Sequence, residues 1–136
     1  GDVHVENLGT ERAFFLSPMN SAAGLGIHFT NHSDYAVTPL NPLFTIWSAV
    51  NRRSRSGQVI GKDERITPYQ ALKAITLDGA WMYQEETSKG SISAGKLADL
   101  VVLDGNPLTV DPMAIRDISV VATYKEGEKI YAGKLK

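Results

Sequence analysis

The tripeptide His32-Ser33-Asp34 has the residue types best suited to chemistry. It follows a predicted strand and precedes a predicted loop, and enzymes built from β/α units carry catalytic groups at such strand ends. A carboxylate at Asp34 could ligate a hard or borderline cation or take a proton from metal-bound water. The His32 imidazole could donate a hydrogen bond to a substrate oxyanion. Alternatively, the two side chains only pair with each other or cap the loop, because a single His-x-Asp pattern is weak alone.

The histidines of this chain do not predict a complete zinc site. They are His4, His28 and His32, whereas catalytic zinc usually takes three protein ligands and keeps one open position. His28 and His32 are about 13 Å apart by the rise of the predicted strand, which is too far to share one ion. A self-sufficient site would need His4 or several carboxylates to fold over the strand.

Composition and charge argue against several other functions. The sequence has 14 basic and 15 acidic residues, and its net charge of -1 gives no field to hold nucleic acid or an anionic membrane. The run Arg52, Arg53, Arg55 is interpreted as the solvated end of a helix. The absence of cysteine excludes disulfides and thiolate metal sites without fixing the compartment, for which the cytoplasm is favoured. The sequence has no G-x-S-x-G elbow and no phosphate loop.

The first third of the chain must hold the candidate residues on one strand. Residues 1–16 are predicted to be irregular, and Ser17-Pro18 predicts the capped start of a short helix that Gly24 and Gly26 end. Residues 27–32 are predicted to form a strand. Because side chains alternate along a strand, one face would carry His28, Thr30, His32 and Asp34.

Two helices and three strands are predicted to follow. Asn41-Pro42 starts one helix, and the capping box Thr67-Pro68-Tyr69-Gln70 starts another. Their apolar stripes are Leu43, Ile46, Trp47 and Val50 in the first and Leu72, Ile75, Gly79 and Met82 in the second. Strands are predicted at residues 100–103, 118–125 and 129–131, with a turn at Glu126-Gly127 between the last two.

Three segments resemble the amidohydrolase superfamily. Residues 90–104, GSISAGKLADLVVLD, are similar to the hairpin that closes many of its chains, and residues 69–76 resemble the helix before it. Residues 32–39, HSDYAVTP, resemble the HSDxPVxP motif at the end of barrel strand 8 in the amidohydrolase-3 branch. That branch includes enzymes similar to N-substituted formamide deformylase. The order and spacing of the motifs together carry the resemblance.

The resemblance implies an α/β fold with the C-terminal part of a TIM-type (β/α)8 barrel and part of a small β-sandwich. Residues 1–85 would belong to the barrel and residues 86–136 to the sandwich. The implied reaction is hydrolysis of an amide-type C–N bond in a small molecule by metal-activated water. The implied cofactor is a divalent metal, with zinc expected. Asp34 matches the family residue that ligates metal and moves the proton, and His32 belongs to the same motif.

The departures from the family pattern predict a fragment. The family's H-x-H pair, its bridging carboxylate or lysine and two further histidines have no counterpart here, and a barrel needs about 250 residues. We therefore expect the chain alone to be inactive and to start just before barrel helix 7. Open strand edges would then favour a homo-oligomer. The alternative hypothesis is a non-catalytic interaction or regulatory module derived from the same fold.

Overall fold

The structure, a computed structural model, describes residues 1–133 as a mixture of short helices and one antiparallel sheet. Two short 3₁₀ helices lie at Lys62–Glu64 and Pro112–Asp117. The other elements are α1 Asp2–Leu8, α2 Thr10–Phe14, α3 Met19–Gly24, α4 Pro42–Asn51, α5 Pro68–Ile75, α6 Leu77–Met82, β1 Leu100–Leu103, β2 Val120–Lys125 and β3 Glu128–Ala132. Among the described residues, no helix is both long and apolar enough to cross a bilayer.

Helix α4 carries the core of the chain. Asn41 caps it, because its side-chain oxygen accepts hydrogen bonds from the backbone N–H groups of Leu43 and Phe44, each 3.1 Å long. The predicted apolar stripe is confirmed, since all four of its members are buried: Leu43, Ile46, Trp47 and Val50. They belong to the same packed cluster as Ile115, a fully buried residue of the 3₁₀ helix before β2.

Two side chains of α4 also bond to that 3₁₀ helix. The Trp47 indole N–H donates to the carbonyl of Met113 over 3.1 Å, and the buried Asn51 amide donates to the carbonyl of Pro112 over 2.8 Å. The Arg116 guanidinium lies 4.6 Å from the centre of the Trp47 ring, within cation–π range. Core burial and polar contacts therefore hold the same two elements together.

The capping box before α5 is confirmed, but the helix it starts is shorter than predicted. Thr67 and Gln70 exchange hydrogen bonds of 3.2 and 2.9 Å between side chain and backbone. The helix breaks at Thr76, whose hydroxyl bonds back to the carbonyl of Leu72 over 2.8 Å, and α6 starts after it. The single predicted stripe is wrong at Met82, which is 51% exposed.

The three predicted strands are confirmed as one sheet in the order β1-β2-β3, with antiparallel neighbours. Glu126 and Gly127 both have positive φ, 52° and 88°, which matches the tight hairpin turn predicted between β2 and β3. Strand β2 starts at Val120, two residues later than predicted. Within the described residues β1 and β3 are the edges of the sheet.

Three predictions for the first third of the chain are wrong. Residues 1–16 form two short helices, α1 and α2, that meet at Gly9 with φ 75°. Ser17 has φ 49° and makes no capping hydrogen bond, so the predicted cap is wrong, whereas the short helix predicted after it is confirmed as α3, which ends at Gly24. Residues 27–32 form no strand, because no other part of residues 1–133 runs beside them to form a ladder.

The predicted division at residue 85 stays a prediction. The core cluster of α4 also receives Leu103, Val110 and Ile118, which follow that boundary in sequence. The predicted second part ends at residue 136, and residues 134–136 lie outside the described residues.

Replacing Ile115 by alanine is expected to lower the free energy of unfolding by about 2–5 kcal/mol, because the side chain is fully buried and its loss leaves a cavity. The matched control is Ile92→Ala, since Ile92 is 90% exposed and its loss should cost less than about 0.5 kcal/mol. Urea unfolding of both variants measures the difference. Equal effects of the two substitutions would contradict this account of the core.

Candidate functional site

Residues 27–34 carry the candidate residues. The backbone N–H of Ile27 donates to the carbonyl of Ala22 in α3 over 2.9 Å, and the residues that follow are held by their side chains. The Asn31 amide donates to the carbonyl of Thr45 in α4 over 3.3 Å. The Thr30 hydroxyl lies 3.6 Å from the sulfur of Met82 in α6. Phe29 packs against the core cluster. The segment is therefore extended and tied to α3, α4 and α6, without a β-ladder to the rest of the described chain.

His32 and Asp34 lie at the exposed end of this segment. His32 lines an open cavity of about 340 Å³ together with residues of the loop, α4 and α5: Asn31, Ser33, Leu40, Asn41, Pro42, Thr45 and Ile75. Asp34 is exposed, and its backbone carbonyl accepts hydrogen bonds from the N–H groups of Val37 and Thr38, 2.7 and 3.2 Å long. The structure does not pair the two side chains within the described residues, and each is open to an external ligand.

The described residues do not by themselves fit a metal ion. In residues 1–133, no group of three or more His, Asp or Glu side chains converges in a geometry that could hold one. A carboxylate at Asp34 is a suitable ligand for a divalent cation, but it supplies only one of the bonds that such an ion needs. Any cation at this end of the segment would therefore need further ligands from elsewhere.

A second polar group, which the sequence did not predict as a site, lies at the other end of the segment. The Nδ1 atom of His28 is 3.4 Å from Oδ1 of Asp78, and the Lys73 ammonium is 3.1 Å from the same oxygen. The Asp78 side chain is only 7% exposed, and Oδ1 has no well-aligned hydrogen bond within the described residues. The His28 ring also lies against the Trp81 indole, with ring centres 4.6 Å apart.

This second group borders a cavity of about 260 Å³ between α3, α5 and the start of the segment. Its lining includes Gln70 and Ile27 beside the three charged or titratable residues. The sequence signal that could have indicated it is the carboxylate of Asp78, which stands within the otherwise apolar or small run of α6. His28 was predicted on the polar face of a strand, but its partner lies 50 residues further along the chain.

The interpretation of Arg52 as a solvated helix end is wrong. Its side chain donates to the carbonyls of Ile60, Ser17 and Leu16 over 2.7, 3.0 and 2.7 Å. The residue itself ends α4 in the left-handed conformation. One guanidinium therefore joins α4 to the loop before α3 and to the loop after α4, because its planar fork presents several donors at once.

Glu64 fastens α3 to the 3₁₀ helix at Lys62–Glu64. Its carboxylate accepts hydrogen bonds from the Ser21 hydroxyl and from the Ser21 backbone N–H, the latter 2.9 Å long. The Ser21 hydroxyl is the largest cause, and the N–H the next, of a Glu64 pKa below the usual glutamate value. The positive charge of Arg52 lowers it further.

The sequence pattern of the amidohydrolase family matches residues 1–131. The chain is 32% identical over 112 residues to the N-substituted formamide deformylase of Arthrobacter pascens, covering 82% of this chain and 21% of the deformylase. It is also 30% identical over 130 residues to YtcJ of Bacillus subtilis, which is named as an amidohydrolase. This match covers 93% of this chain and 25% of YtcJ. The chain belongs to the amidohydrolase family.

The fold of this chain is similar to part of a solved structure. The crystal structure of an amidohydrolase from Thermotoga maritima superimposes with a TM-score of 0.62 at 24% sequence identity, covering 85% of this chain and 26% of the other. The chain thus spans about a quarter of the length of these three proteins. Such coverage agrees with a shared fold in this region of the larger proteins.

Replacing Glu64 by glutamine is expected to flatten the loss of stability in acid. Because the pKa of Glu64 is lower in the folded than in the unfolded chain, the unfolded chain binds more protons. The contribution of Glu64 is therefore complete above the unfolded pKa of about 4.3 and is lost as the pH falls through the lower folded pKa. Urea midpoints measured between about pH 7 and about pH 3 follow this loss.

The control for that series is Glu11→Gln, an exposed carboxylate in α2. We expect the acid slope of this control to match the parent chain. An acid slope of Glu64→Gln identical to that of the parent would show that the Ser21 contacts do not stabilise the folded chain.

Proposed function

We propose that this chain is the C-terminal part of a metal-dependent amidohydrolase that cleaves amide-type C–N bonds with activated water. In this proposal residues 1–85 belong to a (β/α)8 barrel and residues 86–136 to a small composite β-sandwich. Membership of the amidohydrolase family supports it. The observation that carries it is the position of Asp34. Its side chain is exposed and follows the extended segment that Asn31 ties to α4.

The proposed role of Asp34 is to handle the proton of the attacking water. Water adds to the carbonyl carbon, the carboxylate takes one water proton, and the same proton passes to the nitrogen as the C–N bond breaks. The products are a carboxylic acid and an amine. His32 would donate a hydrogen bond to the carbonyl oxygen while negative charge develops on it.

A divalent cation, with zinc expected from the family resemblance, would polarise the carbonyl and the water. The described residues offer Asp34 and lack the other ligands, so the proposal assigns those ligands to polypeptide beyond this chain. The proposed substrate is a small amide. The name of the deformylase relative supports a formamide-type bond as one candidate.

The second candidate is a non-catalytic module, acting through contacts with other molecules. The observation that favours it is that β1 and β3 are the two edges of the sheet within the described residues. The open edges of the sheet at β1 and β3 would then serve association, and we propose a homo-oligomer through them. Light scattering on the purified chain tests the oligomer, and a monomer at high concentration would contradict it.

Replacing Asp34 by asparagine is expected to lower kcat for amide hydrolysis by about 10²–10⁴-fold in the metal-loaded protein that contains this chain, because the amide cannot accept the water proton. Steady-state kinetics with a series of small amides measures the loss. The matched control is Asp117→Asn, a 73% exposed carboxylate whose ion pair with Arg116 is 4.0 Å long. Its kcat should match that of the parent.

Two outcomes separate the candidate functions. An Asp34→Asn variant that keeps the parent kcat would remove Asp34 from the reaction and sink the catalytic proposal. A loss of kcat in Asp34→Asn with an unchanged melting temperature would support it over the non-catalytic module.

A further inference from the structure

We infer that Asp78 is a positioning residue, which fixes His28 in the Nδ1–H tautomer and thereby holds residues 27–34 in place. The part of this inference that concerns the candidate residues His32 and Asp34 rests on the proposed function. The part that concerns His28 and Asp78 depends only on their contacts in this chain.

The first step is the placement of a buried carboxylate opposite one particular ring nitrogen. Nδ1 of His28 faces Oδ1 of Asp78 at 3.4 Å. The two atoms are close but are not aligned as a hydrogen bond. Because an ionised carboxylate can only accept hydrogen bonds, its position favours a neutral imidazole with the proton on Nδ1. The lone pair then lies on Nε2, on the half of the ring that is turned away from Asp78.

Lys73 holds the Asp78 carboxylate in place. The Lys73 ammonium from α5 lies 3.1 Å from Oδ1 and balances the charge of the 7% exposed Asp78 side chain. This ion pair holds the Asp78 side chain in one orientation beside the imidazole. Asp78 and Lys73 are the charged groups within ion-pair distance of this cluster in the described chain.

Residues 27–34 make few other contacts with the helices. From residue 28 onward its links to the helices are the Asn31 bond to α4, the weak Thr30 contact with Met82 and the packing of Phe29. At the start of the segment the Ile27 N–H donates to the Ala22 carbonyl over 2.9 Å, and the contacts of His28 with Asp78 and Trp81 come directly after it. Loss of the Asp78 tie should therefore loosen the segment that ends at Asp34.

The test is NMR of imidazole and backbone nitrogen in this chain at about pH 8.5, two units above the ordinary histidine pKa of about 6.5. The parent should show His28 as the Nδ1–H tautomer. Asp78→Ala should shift it to the Nε2–H form that free histidine prefers. Asp78→Asn should restore the parent tautomer, because its carbonyl oxygen can still accept from Nδ1.

The backbone measurement reports positioning. In the parent we expect order parameters of about 0.85 for residues 28–34, and in Asp78→Ala values below about 0.6. Lys62→Met is the matched control, because Lys62 is an exposed lysine of the 3₁₀ helix at Lys62–Glu64 and is not a partner of Asp78, so the tautomer and the order parameters should stay as in the parent. His28→Ala serves as a second variant, because His28 is half exposed and its loss leaves no cavity in the core.

The outcomes are separable from those for the proposed function. An unchanged tautomer and unchanged order parameters in Asp78→Ala would overturn the inference, whatever Asp34→Asn does to kcat. Loosening in both Asp78→Ala and His28→Ala would support the tie, even if the kinetics of Asp34→Asn removed the catalytic proposal.

Discussion

The fold depends on the burial of α4 against the 3₁₀ helix that precedes β2. Trp47 and Asn51 bond to backbone carbonyls 66 and 61 residues further along the chain, and both bonds form beside the most buried part of the core. Closing so long a loop costs entropy that only a large buried contact can offset. Ile46 and Ile115, the two largest fully buried side chains, lie in this contact and provide it.

Two further features of the described chain attach to the same helix. Its N-terminal half accepts the amide of Asn31, and its last residue is followed by Arg52, which holds the loops on either side. The candidate residues therefore depend on α4 at Asn31, in addition to the contacts of His28 and Thr30 with α6. The chain belongs to the amidohydrolase family. Within residues 1–133 it forms no complete metal site, but its packed helices hold the extended segment that carries His32 and Asp34.

The sequence predicted the parts of this structure that local chemistry decides. The Asn41 cap, the box at Thr67 and the turn at Gly127 each depend on residues within a few positions of one another, so the pattern is readable. The segment of residues 27–32 was predicted wrongly because a strand is defined by its neighbours, which no local pattern reveals. The break at Thr76 was missed because the apolar spacing continues through it.

The candidate site shows the same limit. His32 and Asp34 were found through a motif of adjacent residues, and the structure places both at the exposed end of the segment. Asp78 was missed, since its meaning comes from a histidine 50 positions earlier and a lysine of another helix. Arg52 was misread for the same reason, because its acceptors are carbonyls that carry no sequence signature.

Side chains tie the middle of the extended segment to α4 and α6. Within residues 1–133, the backbone N–H and C=O groups of residues 28–33 have no backbone partners, because side chains alone make the attachments. The backbone donors and acceptors of this segment are therefore free to form a β-ladder. Another strand could pair with this segment without first breaking a backbone hydrogen bond, so no such loss would reduce the free energy of association.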